Sequence, residues 1–124
     1  SASDCATVIG AGVTLHEALK AYEELKGQGI AVRVIDLYCV KPVDGAALGE
    51  QVRATSGRLI TVEDHYPEGG LGETVLGALA EAGVALKTYK RLAVNGVPHS
   101  GKPDELLDAF GISARHIAAA VKGM

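Results

Sequence analysis

The chain alternates short apolar runs, rich in β-branched residues, with longer amphipathic segments, and this alternation most limits how it can fold. Runs such as 30–37 and 58–63 have the length and composition of buried strands. Between such runs, apolar residues recur every three or four positions, which is the spacing of a helix with one buried face. The order predicts βαβ units and an α/β fold with a mainly parallel sheet covered by helices.

Glycine, proline and capping residues set the limits of the predicted elements. Strands are predicted at 6–10, 30–37 and 58–63 and within 84–94. Helices are predicted from near Leu15 to Gly27, at about 46–54, at 74–82, from Pro103 to Phe110, and after Ser113. Thr14 and Glu17 have the spacing of a capping box, and Ser113 is a candidate N-cap.

Length and composition exclude several classes of protein. The 124 residues favour a single domain over residues 1–124, and no apolar run approaches the roughly 20 residues of a membrane span. A net charge of -3 provides no basic surface for nucleic acid. Cys5 and Cys39 lack a metal-ligand spacing and are expected to be free thiols. These features predict a soluble protein with no nucleic-acid or membrane partner. No signal-peptide pattern opens the sequence, so we expect a cytoplasmic protein.

The first candidate site is the glycine-rich turn after the first predicted strand. Gly10 and Gly12 precede a helix, and Asp36 ends the next strand, as in a dinucleotide-binding fingerprint. The third small residue of that motif is missing, because Leu15 occupies its position. We interpret the turn as structural, with an anion or nucleotide site as the alternative.

The second candidate, Asp64 and His65, follows the predicted strand at 58–63. The third, Ser100 and Lys102, follows the predicted strand region at 84–94. Asp64 and His65 lie where α/β enzymes carry acid–base residues, although no nucleophile is paired with them in sequence. Ser100 and Lys102 could hold a phosphate or sulfate. The histidines show no metal-ligand spacing. We therefore expect no catalytic, cofactor-binding or metal-ligating residue, and keep these positions as a candidate anion or ligand site.

Several runs, taken together and in order, resemble the C-terminal domain of transketolase. They are 7–18 (TVIGAGVTLHEA), Lys41-Pro42, 62–66 (VEDHY), 68–73 (EGGLGE), 94–98 (VNGVP), 100–103 (SGKP), 105–107 (ELL) and 110–112 (FGI). The resemblance covers essentially the whole chain. It implies a three-layer α/β/α sandwich with a mixed, mostly parallel sheet of about five strands.

The resemblance also implies a role within a larger enzyme. Full transketolases transfer a two-carbon ketol unit between sugar phosphates, and their other two domains hold thiamine diphosphate and magnesium. The C-terminal domain then contributes no catalytic residue and supports domain packing and the dimer. The expected partners are the missing thiamine-binding domains, in the same enzyme or a separate subunit, and a second copy in a homodimer.

Three alternatives remain open from the sequence. One is a regulatory module that binds a nucleotide or anion at the candidate positions. Another is the equivalent domain of deoxyxylulose phosphate synthase or of a 2-oxo acid dehydrogenase β subunit. The third is a self-sufficient enzyme that uses Asp64 and His65.

Overall fold

A computed structural model of the chain describes residues 4–11, 13–36, 45–63, 71–92 and 113–124. Within these ranges the strands are β1 (Thr7–Gly10), β2 (Arg33–Asp36), β3 (Arg58–Val62) and β4 (Thr88–Leu92). The helices are α1 (Val13–Gly27), α2 (Gly45–Ala54), α3 (Leu71–Glu81) and α4 (Ala114–Lys122). No helix in these ranges is long and apolar enough to cross a membrane. The predicted helix from Pro103 lies outside the described residues.

The four described strands form one parallel sheet in the order β2-β1-β3-β4. In its register Val8 of β1 pairs with Val34 on one side and with Ile60 on the other, and Ile60 pairs in turn with Lys90. Parallel neighbours need crossover connections, which the helices provide. The prediction of an α/β fold with a mostly parallel sheet is confirmed, with four strands in the described residues where about five were expected.

Each face of the sheet carries its own apolar cluster, so the fold has three layers. On one face α1 and α4 cover Val8, Ile60 and Val62. On the other face α2 and α3 cover Ile9 and Leu59. Successive residues of a strand point to opposite faces, which is why neighbours in β1 and β3 belong to different clusters. The predicted α/β/α sandwich is therefore correct.

The predicted capping box at the start of α1 is wrong. The helix begins at Val13, so Thr14 lies in its first turn, and the Thr14 hydroxyl accepts from the Ala11 N–H at 3.0 Å and donates to the Ala11 carbonyl at 2.9 Å. Glu17 pairs instead with Lys20 at 3.0 Å. By contrast, Ser113 does occupy the N-cap position of α4, although its hydroxyl bonds His116 Nδ1 at 2.9 Å rather than a backbone N–H.

The two longest predicted strands begin later in the structure than in the prediction. Their first apolar residues complete the end of the preceding helix instead of joining the sheet. The Ile30 N–H donates to the Leu25 carbonyl at 2.9 Å, and the Val84 N–H donates to the Leu79 carbonyl at 3.0 Å. These bonds satisfy carbonyl groups that a helix end leaves without partners.

Candidate functional site

All four described strands end at the same edge of the sheet, where open α/β sheets usually bind ligands. There β1 ends at Gly10, β2 ends at Asp36, and β4 ends at Leu92. Glu63 directly follows β3 and continues its pairing, because its N–H donates to the Leu92 carbonyl at 2.9 Å. This carboxyl edge is the candidate site.

The Glu63 carboxylate joins three elements at this edge. Its Oε2 accepts hydrogen bonds from the Gly72 N–H at 2.9 Å and from Arg91 Nε at 3.1 Å. The Glu63 side chain is 1% exposed, and that of Arg91 is 25% exposed. Gly72 lies in the first turn of α3, where unsatisfied N–H groups and the helix dipole favour a negative charge. Glu63 therefore ties the end of β3 to β4 and to the start of α3.

The other oxygen of the Glu63 carboxylate, Oε1, differs from Oε2 in its hydrogen bonding. Glu63 Oε1 is buried and, among the described residues, has no hydrogen-bond partner. A buried acceptor without a donor costs about 1 to 3 kcal/mol, and a charged one costs more. Within the described part of the chain, the Glu63 interactions thus stabilise the fold through Oε2 and lose part of that gain through Oε1.

Tyr89 and Thr61 extend the polar group along the sheet. Tyr89 Oη lies 2.7 Å from Thr61 Oγ1. A Cβ atom built on Gly72 would lie 2.7 Å from Glu63 Oε2, 2.8 Å from Arg91 Nε and 2.9 Å from Tyr89 Oη. Contacts this short essentially do not occur at real Cβ atoms, so any larger residue at position 72 would force the ends of these three side chains to move.

The surroundings shift the titration of two of these groups. Burial raises the pKa of Tyr89, although the hydrogen bond with Thr61 and the nearby Arg91 charge oppose it. Burial alone would lower the pKa of Arg91, but the hydrogen bond and charge of Glu63 outweigh it and raise that pKa. Arg91 therefore stays charged, and Tyr89 stays protonated at neutral pH.

Replacing Tyr89 with phenylalanine is expected to cost about 1 kcal/mol at pH 7, because the hydrogen bond with Thr61 is lost. The raised pKa means that the folded state holds the phenol proton more tightly than the unfolded state does. This contribution is present below the unfolded pKa of about 10 and is lost as pH rises through the folded value. Urea unfolding of the parent chain and of Tyr89→Phe measures their free energies of unfolding. The difference between the two proteins should be smaller at about pH 11 than at pH 7. An unchanged difference would contradict the shift.

The structure places one of the six predicted site residues. Gly10 ends β1, and a Cβ there would lie 3.0 Å from both the Leu15 N and the Thr14 carbonyl carbon, so the turn needs glycine for close approach to α1. That contact supports the interpretation of the turn as structural. The other five lie outside the described residues and stay predictions: Gly12, Asp64, His65, Ser100 and Lys102.

Sequence reasoning missed the residues that meet around Glu63. Tyr89 and Arg91 stand two apart within the region predicted as a strand, and such residues share one face. That spacing was the available signal. The partnership with Gly72 could not be found, because it depends on where α3 begins relative to β3.

Among the described residues, no group of three or more His, Cys, Asp or Glu side chains could hold a metal ion.

Comparisons with known proteins agree with this fold and with the motifs. The family described as Transketolase, C-terminal domain, matches residues 1–117. Mouse transketolase-like protein 2 is 60% identical over 123 residues, which cover 98% of this chain and 19% of that protein. Mouse transketolase is 55% identical over 125 residues, covering 100% of this chain and 20% of that protein. The chain thus spans about a fifth of the length of these relatives.

Solved structures give the same result. A structure described as a split gene transketolase, an inactive β4 tetramer, matches with a TM-score of 0.81 and 35% identity, over 98% of this chain and 39% of that one. Transketolase from Campylobacter jejuni matches with a TM-score of 0.65 over 100% of this chain and 17% of that one, and at 18% identity it shows the fold alone. Given the match over residues 1–117, the chain belongs to the transketolase C-terminal domain family.

Proposed function

We propose that this chain is the non-catalytic C-terminal domain, or a split subunit, of a transketolase. In this role it supports the domain packing and dimer assembly of an enzyme that transfers a two-carbon ketol unit between sugar phosphates. The observation that carries the proposal is the share of each protein that is aligned in the comparisons. Nearly the whole chain matches transketolase and its relatives, yet it spans about a fifth of their length.

The geometry at the carboxyl edge supports a structural role for its main ionisable group. A general base has to reach a substrate proton within hydrogen-bond distance. The Glu63 side chain is buried, and its Oε2 already accepts from Gly72 and Arg91. An acid–base residue that is enclosed in this way stabilises the domain rather than transferring a proton to or from a sugar.

The described residues do not fit a magnesium-diphosphate group. They include no cluster of metal-ligating side chains, and the buried Glu63 is engaged with Arg91. Under the proposal, thiamine diphosphate and magnesium are bound by the other domains of the enzyme, on the same polypeptide or on a separate subunit. The split gene transketolase that resembles this chain is described as an inactive β4 tetramer, which is an example of a separate chain without activity. The setting proposed is the cytoplasm, with a homodimeric enzyme.

The proposal is tested by measuring ketol transfer in the presence of thiamine diphosphate and magnesium. The isolated chain is expected to give no more ketol transfer than the background rate measured in buffer without enzyme. A chimera of mouse transketolase, with its matching C-terminal fifth replaced by this chain, is expected to be dimeric and active. Mouse transketolase truncated at the same point is the control. Turnover by the isolated chain, or an inactive chimera that nevertheless folds, would contradict the proposal.

A further inference from the structure

An open cavity of about 500 Å³ lies between α1 and the amino end of β2, at the edge of the sheet opposite to the carboxyl edge. We call it the α1–β2 pocket. Its lining residues are Leu19, Tyr22 and Lys26 of α1, Ala31, Val32, Arg33 and Val34 at the start of β2, and Asp4 before β1. Small-molecule sites have volumes of about 300 to 1,000 Å³. The α1–β2 pocket is therefore large enough for a small ligand.

Most of the wall of the α1–β2 pocket is apolar. Leu19 is the exposed large hydrophobic residue of the described part of the chain, so a ligand that covers it removes apolar surface from water. Tyr22 is partly buried and packs against the cluster beneath α1, which holds its ring in place. Aromatic pairs stabilise a contact beyond the area that they bury. The wall therefore favours an occupant with an aromatic body.

A buried ion pair forms the polar part of the pocket. The Asp4 side chain is 7% exposed and that of Arg33 is 20% exposed. Arg33 Nε donates to Asp4 Oδ2 at 3.0 Å, and Arg33 Nη1 donates to Gln51 Oε1 at 2.8 Å. These bonds order this side of the pocket before any ligand binds, which lowers the entropic cost of binding. The charges of Asp4 and Arg33 also compensate each other.

Lys26 supplies the remaining charge among the lining residues. Its Nζ lies 5.9 Å from the centre of the Tyr22 ring, so a cation stands at the apolar wall. A single surplus positive charge attracts an anion. It favours a monoanion, such as a carboxylate or a sulfonate, over a polyphosphate, because the Asp4 carboxylate repels each further negative charge.

We propose that the α1–β2 pocket binds a small aromatic monoanion. The aromatic ring packs against Leu19 and Tyr22, and the carboxylate or sulfonate pairs with Lys26. This inference goes beyond the proposed function, which gives this domain no ligand of its own. The pocket is formed by residues of this chain, so binding requires neither thiamine diphosphate nor the other domains of a transketolase. Failure of one proposal therefore leaves the other standing.

Fluorescence titration of the chain with anilinonaphthalene sulfonate tests the proposal. This probe has an aromatic body and one sulfonate, and its emission rises in an apolar site. Saturable binding of one probe per chain is expected, with a Kd of about 10 to 100 µM. Hydroxyphenylacetate, an aromatic carboxylate, should displace the probe, whereas ATP should not, because its triphosphate carries more negative charge than Lys26 compensates.

Matched variants locate the bound probe. Leu19→Glu is expected to weaken binding at least about tenfold, because a charge enters the apolar wall. Lys26→Ala should weaken binding of the sulfonate about two- to fivefold and leave unchanged the binding of N-phenylnaphthylamine, which has the same aromatic body without the anion. Lys122→Ala, which removes an exposed lysine of α4, is the control and should change neither affinity.

Three results would each overturn the proposal. The first is the absence of saturable binding to the parent chain. The second is an affinity that Leu19→Glu leaves unchanged, since the probe would then lie elsewhere. The third is displacement by ATP as effective as that by hydroxyphenylacetate. Circular dichroism of each variant verifies its fold, and because Leu19 and Lys26 are exposed, their substitution is expected to leave the fold intact.

Discussion

Replacing Glu63 with alanine is expected to destabilise the chain by about 3 kcal/mol, within the range for removing one partner of a buried ion pair. The variant leaves the Gly72 N–H and the Arg91 guanidinium without their shared acceptor. It also removes Oε1, which has no hydrogen-bond partner among the described residues, and this removal returns part of the loss. Urea unfolding at neutral pH, followed by circular dichroism, measures the difference in the free energy of unfolding.

Two further variants define what the Glu63 result means. Glu63→Gln keeps an oxygen for the Gly72 N–H and loses only the charge facing Arg91, so a smaller loss of about 1 to 2 kcal/mol is expected. Glu24→Ala, on the exposed face of α1, should stay within about 0.5 kcal/mol of the parent chain. If Glu63→Ala were no more destabilising than Glu24→Ala, the carboxylate would not join the three elements as described.

Replacing Ile60 with alanine is expected to cost about 3 to 4 kcal/mol. Ile60 lies in the central strand β3, is 0% exposed, and packs in the cluster beneath α1 and α4. The loss combines the removed apolar contacts with a cavity that the close-packed residues of this cluster cannot readily close. The measurement is the same denaturant unfolding, with the slope of the transition used to check that both proteins unfold in one step.

Ile60→Val is the matched control, with an expected loss of about 1 kcal/mol, because it keeps the β-branch and removes a single methyl group. Leu59→Ala tests the other face of the same strand and should cost a similar amount to Ile60→Ala, since Leu59 is equally buried beneath α2 and α3. A loss below about 1.5 kcal/mol for Ile60→Ala would mean that the α1 and α4 layer does not pack on β3 as the structure shows.

The layer architecture could be predicted from the sequence, because it depends on local periodicity. The apolar run from Leu59 to Val62 and the helical spacing of Ala18 and Leu25 already indicate buried residues, although Leu19, which the same spacing places with them, is 47% exposed. The limits of the elements were less predictable. Ile30 and Val84 have the composition of strand residues, but each completes the end of a helix through a bond that depends on the preceding turn.

The candidate site was less accessible to sequence reasoning, for a different physical reason. Gly10 was identified because its turn motif is continuous in sequence. The group around Glu63 draws on β3, β4 and α3, so recognising it requires knowledge that β4 lies beside β3 in parallel register. Glu63 directly precedes the candidate Asp64, yet nothing in the local sequence distinguishes a carboxylate that faces solvent from one enclosed by Arg91 and the start of a helix.

The packing of α4 against α1 has a consequence for how the chain acquires its structure during synthesis. Ile117 and Val121 of α4 share a cluster with Val8 of β1 and Leu25 of α1, which precede them by about a hundred residues. Such contacts close a long loop at a cost in conformational entropy, and during synthesis they cannot form until α4 itself has been made. While the ribosome is still making residues 114–122, one face of the sheet is incompletely covered. A nascent chain at that stage is expected to be a target for chaperones that bind exposed apolar surface.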